Sequence, residues 1–150
     1  MSGDPLVITS SASLGFFSFA GLRADVIPGV PQTVPSHGLD VTNGTQYLNP
    51  LAFATPPLSP GNSFALRFGN SPGFLPHTRG PGHSSEDFGI VKNTRITERV
   101  GVQFRADMFN VFNRTGRADP DTCVDCGSFG IIFDPAHSPR VIQLALRLNF

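Results

Sequence analysis

Residues 140–150 read RVIQLALRLNF, from Arg140 to Phe150. Ile142, Leu144, Leu146, Leu148 and Phe150 fall on one parity, and Gln143, Ala145, Arg147 and Asn149 on the other. Successive side chains of an extended chain point to opposite sides, so this is the period of a strand with one apolar and one polar face. A helix would mix the two sets. In a soluble sandwich the apolar face would meet a second sheet, and the terminus would run on into a short polar tail, because chain ends are poorly ordered unless tied down. Here the last residue is part of the pattern. A strand of about 10 residues with large apolar groups on one side and polar or small ones on the other fits a transmembrane barrel strand, with lipid outside and a wet lumen inside.

The same alternation recurs upstream. ERVGVQFRADMFNVFN places Val100, Val102, Phe104, Ala106 and Met108 on one face and Gly101, Gln103, Arg105 and Asp107 on the other. The second face is too polar for a protein core. SEDFGIVKN puts Phe88 and Ile90 opposite Asp87, Gly89 and Asn93, and NTRITER follows as a polar turn. After the polar connection NRTGRADPDTCVDC, GSFGIIFD sets Phe129, Ile131 and Phe133 on one side, and PAHSP turns into the terminal strand. The pattern predicts four strands in two hairpins over residues 86–150. In hydrocarbon each unsatisfied backbone group costs several kcal/mol, so such a meander must complete a larger sheet.

Composition agrees with an all-β chain. The 150 residues include 16 Gly, 14 Pro and 14 Phe, with one Tyr and no Trp, so turn formers abound. Residues 1–25 read as strand and loop, and residues 26–85 as one long Pro/Gly-rich region. A connection of that length is unusual in a compact soluble domain but normal on the outer side of a membrane barrel. Eleven basic and eleven acidic residues cancel, which removes the electrostatic argument for nucleic acid. No segment approaches the continuous apolar length of a membrane helix. Ala12 to Leu22 contains the small-x-small form Ser18-Phe19-Ala20, but the only charge before it is Asp4, so it reads as strand or loop and not as an export signal. The expectation is therefore a piece of something longer.

Several stretches together resemble a known family: SGDPLVITSS, DVIPGVP at 25–31, YLNPLAFATP at 47–56, FGNSPGFLPHTRGPG at 68–82, DFGIVKNTRITERVGVQFRADMFNVFNRT at 87–115 and PRVIQLALRLNF. They are similar to the C-terminal part of TonB-dependent outer-membrane receptors of the Oar-like group, which carry a carboxypeptidase-regulatory-like N-terminal domain. The resemblance implies an incomplete transmembrane β-barrel: the last strands of a barrel of about 22, with a plug domain inside it. It implies a cell outer membrane location, uptake or recognition of a ligand, and no catalysis or cofactor. Its partners would be outer membrane lipid, the rest of the barrel and plug, the barrel assembly machinery, and TonB through an N-terminal part. Ile142, Leu144, Leu146, Leu148 and Phe150 would form the lipid face and assembly signal. Gln103, Arg105, Asp107 and Arg147 would face the lumen, Arg105 and Asp107 either lining a ligand path or pairing with a neighbouring strand or plug. The resemblance places the C-terminus in the periplasm, PAHSP and NTRITER outside, and NRTGRAD at 113–119 in the periplasm.

CVDC, Cys123 to Cys126, lies outside the resemblance. Its spacing fits a local disulfide or two plain thiols, half a zinc site, or a redox pair. Zinc needs further ligands, with only His137 nearby, and a redox pair should open a helix, whereas these cysteines sit between turn residues and a strand. His37, His77, His83 and His137 are scattered through loops without a ligand repeat. Ser84, Ser85, Glu86 and Asp87 beside His83 are hydrolase residue types, but no nucleophile elbow accompanies them. RGPG at 79–82 precedes a strand and lacks the helix start that phosphate binding exploits. Two other readings stay open. One is a soluble extracellular β-sandwich binding glycan or protein through residues 26–82, which would cover Val100, Val102, Phe104, Ala106 and Met108 with a second apolar sheet. The other is a truncated reading frame.

Overall fold

The computed structural model describes residues 3–15, 21–36, 38–62 and 64–150. The Ser18 to Ala20 stretch and His37 lie outside the described residues. Among those described the fold is all-β, with strands β1 (Thr9–Ser10), β2 (Leu22–Arg23), β3 (Asp25–Val26), β4 (Thr45–Gln46), β5 (Phe53–Ala54), β6 (Phe88–Arg95), β7 (Gly101–Phe109), β8 (Ile131–Ile132) and β9 (Val141–Asn149). A single 3-10 turn spans Pro50–Ala52, where the Asn49 side chain accepts a hydrogen bond from the Leu51 N–H. The chain forms two compact units, residues 1–82 with 117–135, and residues 83–116 with 136–150.

The first unit has little regular structure because Pro and Gly interrupt every run of extended chain. Its strands are two residues long and pair antiparallel as β1–β2, β3–β5 and β4–β8. What unites them is a core of Leu6, Ile8, Ala24, Leu48, Ala52, Phe53, Leu75 and Phe129. The Phe53 and Phe129 rings meet edge to face at 5.6 Å. Loop backbone is satisfied through side chains: the Val26 N–H donates to Asn70 Oδ1 at 2.6 Å and the Asn70 N–H to Asp25 Oδ1 at 2.9 Å, while Arg67 donates to both carboxylate oxygens of Asp25, at 2.8 and 2.7 Å. That pairing, with the Asn70 N–H, holds the Asp25 carboxyl below its ordinary pKa. The stretch 26–85, expected as a long Pro/Gly-rich extracellular loop region, is irregular and contributes Leu48, Ala52, Phe53 and Leu75 to the core. The expected boundaries at 25 and 85 give way to a unit that also recruits residues 117–135.

In the second unit β6, β7 and β9 form one antiparallel sheet in the order β6-β7-β9. Phe88 pairs with Met108 and Arg95 with Gly101 across β6 and β7, while Gly101 pairs with Asn149 and Phe109 with Val141 across β7 and β9. β6 runs on through Thr94 and Arg95, two residues into the stretch expected to turn. The turn proper is Ile96–Val100, closed by Ile96 and Thr97 N–H groups donating to the Val100 carbonyl at 2.9 and 3.1 Å. β7 ends at Asn110, whose φ of 50° takes the chain out of the extended region. Its buried amide ties the exit: Nδ2 donates to the Arg114 and Ser138 carbonyls, and Oδ1 accepts from the Arg114 N–H at 2.8 Å.

The expected four-strand meander is corrected to three strands. GSFGIIFD does not join this sheet: residues 127–130 turn, Gly130 takes a φ of 74°, and the two extended residues left, β8, pair with β4. The expected turn directions change with it. Three crossings, not four, bring Asn149 beside Gly101, so the Ile96–Val100 turn and Phe150 lie at the same end of the sheet. NTRITER was expected at the end opposite the C-terminus. The long connection from β7 to β9 leaves from the other end.

Candidate functional site

Residues directly opposite in antiparallel strands project to the same side. The register therefore builds two continuous faces. One carries Phe88, Ile90, Lys92 and Thr94 of β6, Val102, Phe104, Ala106 and Met108 of β7, and Ile142, Leu144, Leu146 and Leu148 of β9. The other carries Gly89, Val91, Asn93 and Arg95, then Gly101, Gln103, Arg105 and Asp107, then Gln143, Ala145, Arg147 and Asn149. The alternation read separately in each segment becomes common to all three strands.

Among the described residues nothing covers the apolar face. Leu144 is 68% exposed, Leu146 74% and Phe88 55%, and every residue of β6 and β9 is exposed. The β7 residues are shielded mainly by their flanking strands, with Ala106 buried and Phe104 still 41% exposed. A soluble sandwich would bury such a face, since large contiguous apolar patches are rare on soluble monomers. Both outer edges, β6 and β9, lack a pairing partner among the described residues. The sheet is open, as in an incomplete barrel.

The polar face is tied by its own hydrogen bonds. Gln103 Nε2 donates to Asn93 Oδ1 at 2.8 Å, and Arg105 Nε pairs with Asp107 Oδ2 at 2.6 Å. Arg147 stands opposite Gln103, and Arg105 opposite Ala145 and Val91. Gln103, Arg105, Asp107 and Arg147 thus share one face, with Arg105 and Asp107 joined to each other on the same strand. Phe150 follows β9 and is 97% exposed.

Lys92 is the residue the strand reading passed over. It sits on the apolar face between Ile90 and Thr94, opposite Phe104, and is the only charged residue among the twelve on that face. Its parity with Ile90 was the available signal. The Ile96–Val100 turn and the end of β9 border an open groove of about 490 Å³, whose strand lining is mainly Asn93, Arg95, Gly101 and Asn149 of the polar face.

The remaining candidates have structural employment. Cys123 and Cys126 form a disulfide with Cα atoms 5.3 Å apart. As a disulfide neither sulfur is a thiolate ligand. Between them Asp125 anchors the N-terminal segment: it accepts from the Ser11 N–H at 2.8 Å, the Ser11 hydroxyl at 2.7 Å and the Ser10 hydroxyl at 3.1 Å. Partial burial pushes its pKa up, and these hydrogen bonds outweigh it, leaving the carboxyl below its ordinary value. Glu86 pairs with Arg114 at 3.0 Å, and Asp87 accepts the Asn110 N–H at 2.9 Å, so the acidic residues near His83 close the strand ends. The His83 and His137 rings meet edge to face at 4.9 Å.

The model of one protein family, described as Outer membrane beta barrel domain, matches residues 1–143. No curated protein and no solved structure matches the chain.

Proposed function

The chain belongs to the outer membrane beta barrel domain family, and from that premise we propose that it serves as the C-terminal barrel portion of a TonB-dependent, Oar-like receptor. In this reading β6, β7 and β9 cross the outer membrane. Ile142, Leu144, Leu146 and Leu148 face lipid together with Phe88, Ile90, Phe104 and Met108. Gln103, Arg105, Asp107 and Arg147 face the lumen. The free edges of β6 and β9 pair with further barrel strands, because unpaired backbone is not tolerated in hydrocarbon. Insertion depends on the barrel assembly machinery, and TonB acts through a plug-bearing part of the receptor. The role is uptake or recognition of a ligand, without catalysis.

The observation that carries the reading is the register. Three strands put one exposed apolar face, interrupted by Lys92 and Thr94, and one hydrogen-bonded polar face on opposite sides of an open sheet. The turn geometry supports it too. A periplasmic C-terminus then goes with the short Ile96–Val100 turn, and the long β7–β9 connection emerges outside, the usual asymmetry of such barrels.

Two measurements test it. With single labels along β9 in vesicles, in a background lacking Cys123 and Cys126, a lipid-phase quencher should reach positions 142, 144, 146 and 148, and a water-phase quencher positions 143, 145 and 147. Absence of alternation would refute the membrane assignment. An antibody raised against the β6–β9 segment should detect, in outer-membrane fractions, a polypeptide several times longer than this chain, whose ligand uptake stops when the inner-membrane proton gradient is collapsed. Uptake indifferent to that gradient would refute the TonB-dependent part.

A further inference from the structure

The Cys123–Cys126 loop carries a third metal-ligating group within itself. The two sulfur atoms and a carboxylate oxygen of Asp125 all lie within 4.8 Å of one another. Asp125 Oδ1 stands 3.3 Å from Cys123 Sγ, and a disulfide sulfur has no hydrogen to give it. In a tetrahedral zinc site, with Zn–S about 2.3 Å and Zn–O about 2.0 Å, a thiolate sulfur and a carboxylate oxygen sit about 3.5 Å apart. Cys123 and Asp125 thus stand close to one edge of such a site. The two sulfurs of the site would be about 3.8 Å apart, a separation that only breaking the S–S bond allows.

Each of the three residues is also held by bonds that do not involve the S–S bond. Cys123 bridges Thr9, where the Thr9 N–H donates to the Thr122 carbonyl at 3.0 Å and the Val124 N–H to the Thr9 carbonyl at 2.8 Å. The Cys126 N–H donates to the Cys123 carbonyl at 3.1 Å, which closes the turn through its backbone. Asp125 is fixed by Ser10 and Ser11: Oδ2 accepts from both hydroxyls, while Oδ1 accepts from the Ser11 N–H and faces Cys123. Such outer hydrogen bonds are what orient the carboxylate ligands of metal sites. Two thiolates and one carboxylate suit zinc, whereas calcium and magnesium take oxygen donors. The spacing of the cysteines supplies half a zinc site, and the fold brings the third ligand to it.

We propose that in the reduced chain Cys123, Cys126 and Asp125 bind one zinc ion, with water as the fourth ligand, so that the loop closes either through sulfur–sulfur or through zinc. The inference goes beyond the proposed function and stands on the first unit alone. A phosphine supplies the two electrons: the disulfide, the phosphine and one water give two thiols and the phosphine oxide. The two thiols then lose two protons as two S–Zn bonds form. Oxidised, the loop has no thiolate to offer, so the site is open to metal only in the reduced state.

The test uses the full chain with and without phosphine reduction. Bound zinc is counted after equilibrium dialysis, and the thermal midpoint is followed by circular dichroism. The reduced chain should take up one zinc, release about two protons on doing so, and gain in midpoint. The oxidised chain should do none of these. Asp125→Asn, which keeps an acceptor for the Ser11 N–H, should weaken zinc binding at least about ten-fold. Asp121→Asn, an equal loss of charge two residues before Cys123, should bind as wild type does. Cys123→Ser with Cys126→Ser should abolish binding. No zinc on the reduced chain, or as much on the oxidised one, overturns the site. Unchanged affinity in Asp125→Asn, or an equal loss in Asp121→Asn, overturns the three-ligand assignment. Zinc taken up without any gain in midpoint would place it on unfolded thiols and overturn the site as well.

Discussion

Leu144→Arg is the substitution whose effect separates a lipid face from any other explanation of the sequence. β9 runs over nine residues, Val141–Asn149. At about 3.4 Å per residue and a tilt of roughly 40°, it covers about 21 Å of an apolar band about 25 Å tall. Leu144 is one residue from the middle of the strand, about 3 Å from the midplane on this geometry. It is 68% exposed on the apolar face, so nothing but lipid would surround the new guanidinium. An Arg at that depth costs about 3 kcal/mol, a factor of about 100 in the folding equilibrium. Ala145→Arg, one residue on but facing the polar side directly opposite Arg105, should cost no more than about 1 kcal/mol, the repulsion of like charges across the strands. Leu148→Arg, on the same face but nearer the end of the strand, should cost less than Leu144→Arg, about 1–2 kcal/mol. The assay is urea unfolding of the chain refolded into phosphatidylcholine vesicles, followed by far-ultraviolet circular dichroism. The cost of the open edges of β6 and β9 is common to every variant and cancels in the differences. Equal destabilisation by Leu144→Arg and Ala145→Arg would refute the two-faced assignment, and no effect at Leu144 would refute lipid contact.

Three further outcomes concern the first unit. Asp125 has a folded pKa below its unfolded one, so its contribution is present above the ordinary carboxylate range and is lost as pH falls through the folded value. Asp125→Ala should accordingly lower the thermal midpoint at neutral pH, by an amount equivalent to about 1 kcal/mol after solvent screening, and the gap to wild type should close on acidification. A gap independent of pH would contradict the Ser10–Ser11 anchor. Reduction of the Cys123–Cys126 disulfide, which closes a short loop, should cost about 2 kcal/mol in chemical unfolding. Leu48 is fully buried beside Ile8 and Phe53. Leu48→Ala should cost about 3 kcal/mol, measured by thermal unfolding, and a loss under about 1 kcal/mol would argue against a packed core there.

The first unit also marks where sequence reading stops. Leu6, Ile8, Leu48, Phe53, Leu75 and Phe129 show no common period. They are isolated apolar residues among turns, and their convergence into one core depends on how Pro and Gly steer the chain between them. The Asp125 anchor spans a sequence separation of 114 from Ser11, a contact no local pattern announces. The groove at the Ile96–Val100 turn was likewise hidden. Arg95 and Arg99 belong to a stretch that reads as a polar turn, and only the register sets them beside the end of β9.

Within the sheet, the sequence by itself determined the sides. A period of two in VIQLALRLN and GVQFRADMF fixes which residues share a face wherever the strand lies, because the pleat is a local property of extended backbone. Tertiary structure alone decided which strands meet. GSFGIIFD carries the same alternation as its neighbours, yet Gly130 breaks it, Ile132 is fully buried in the first unit, and β8 pairs with β4. That one pairing changes four crossings to three and moves the Ile96–Val100 turn to the same end as Phe150. Alternation is silent about partners, because pairing is settled by burial and hydrogen bonding between segments far apart in the chain.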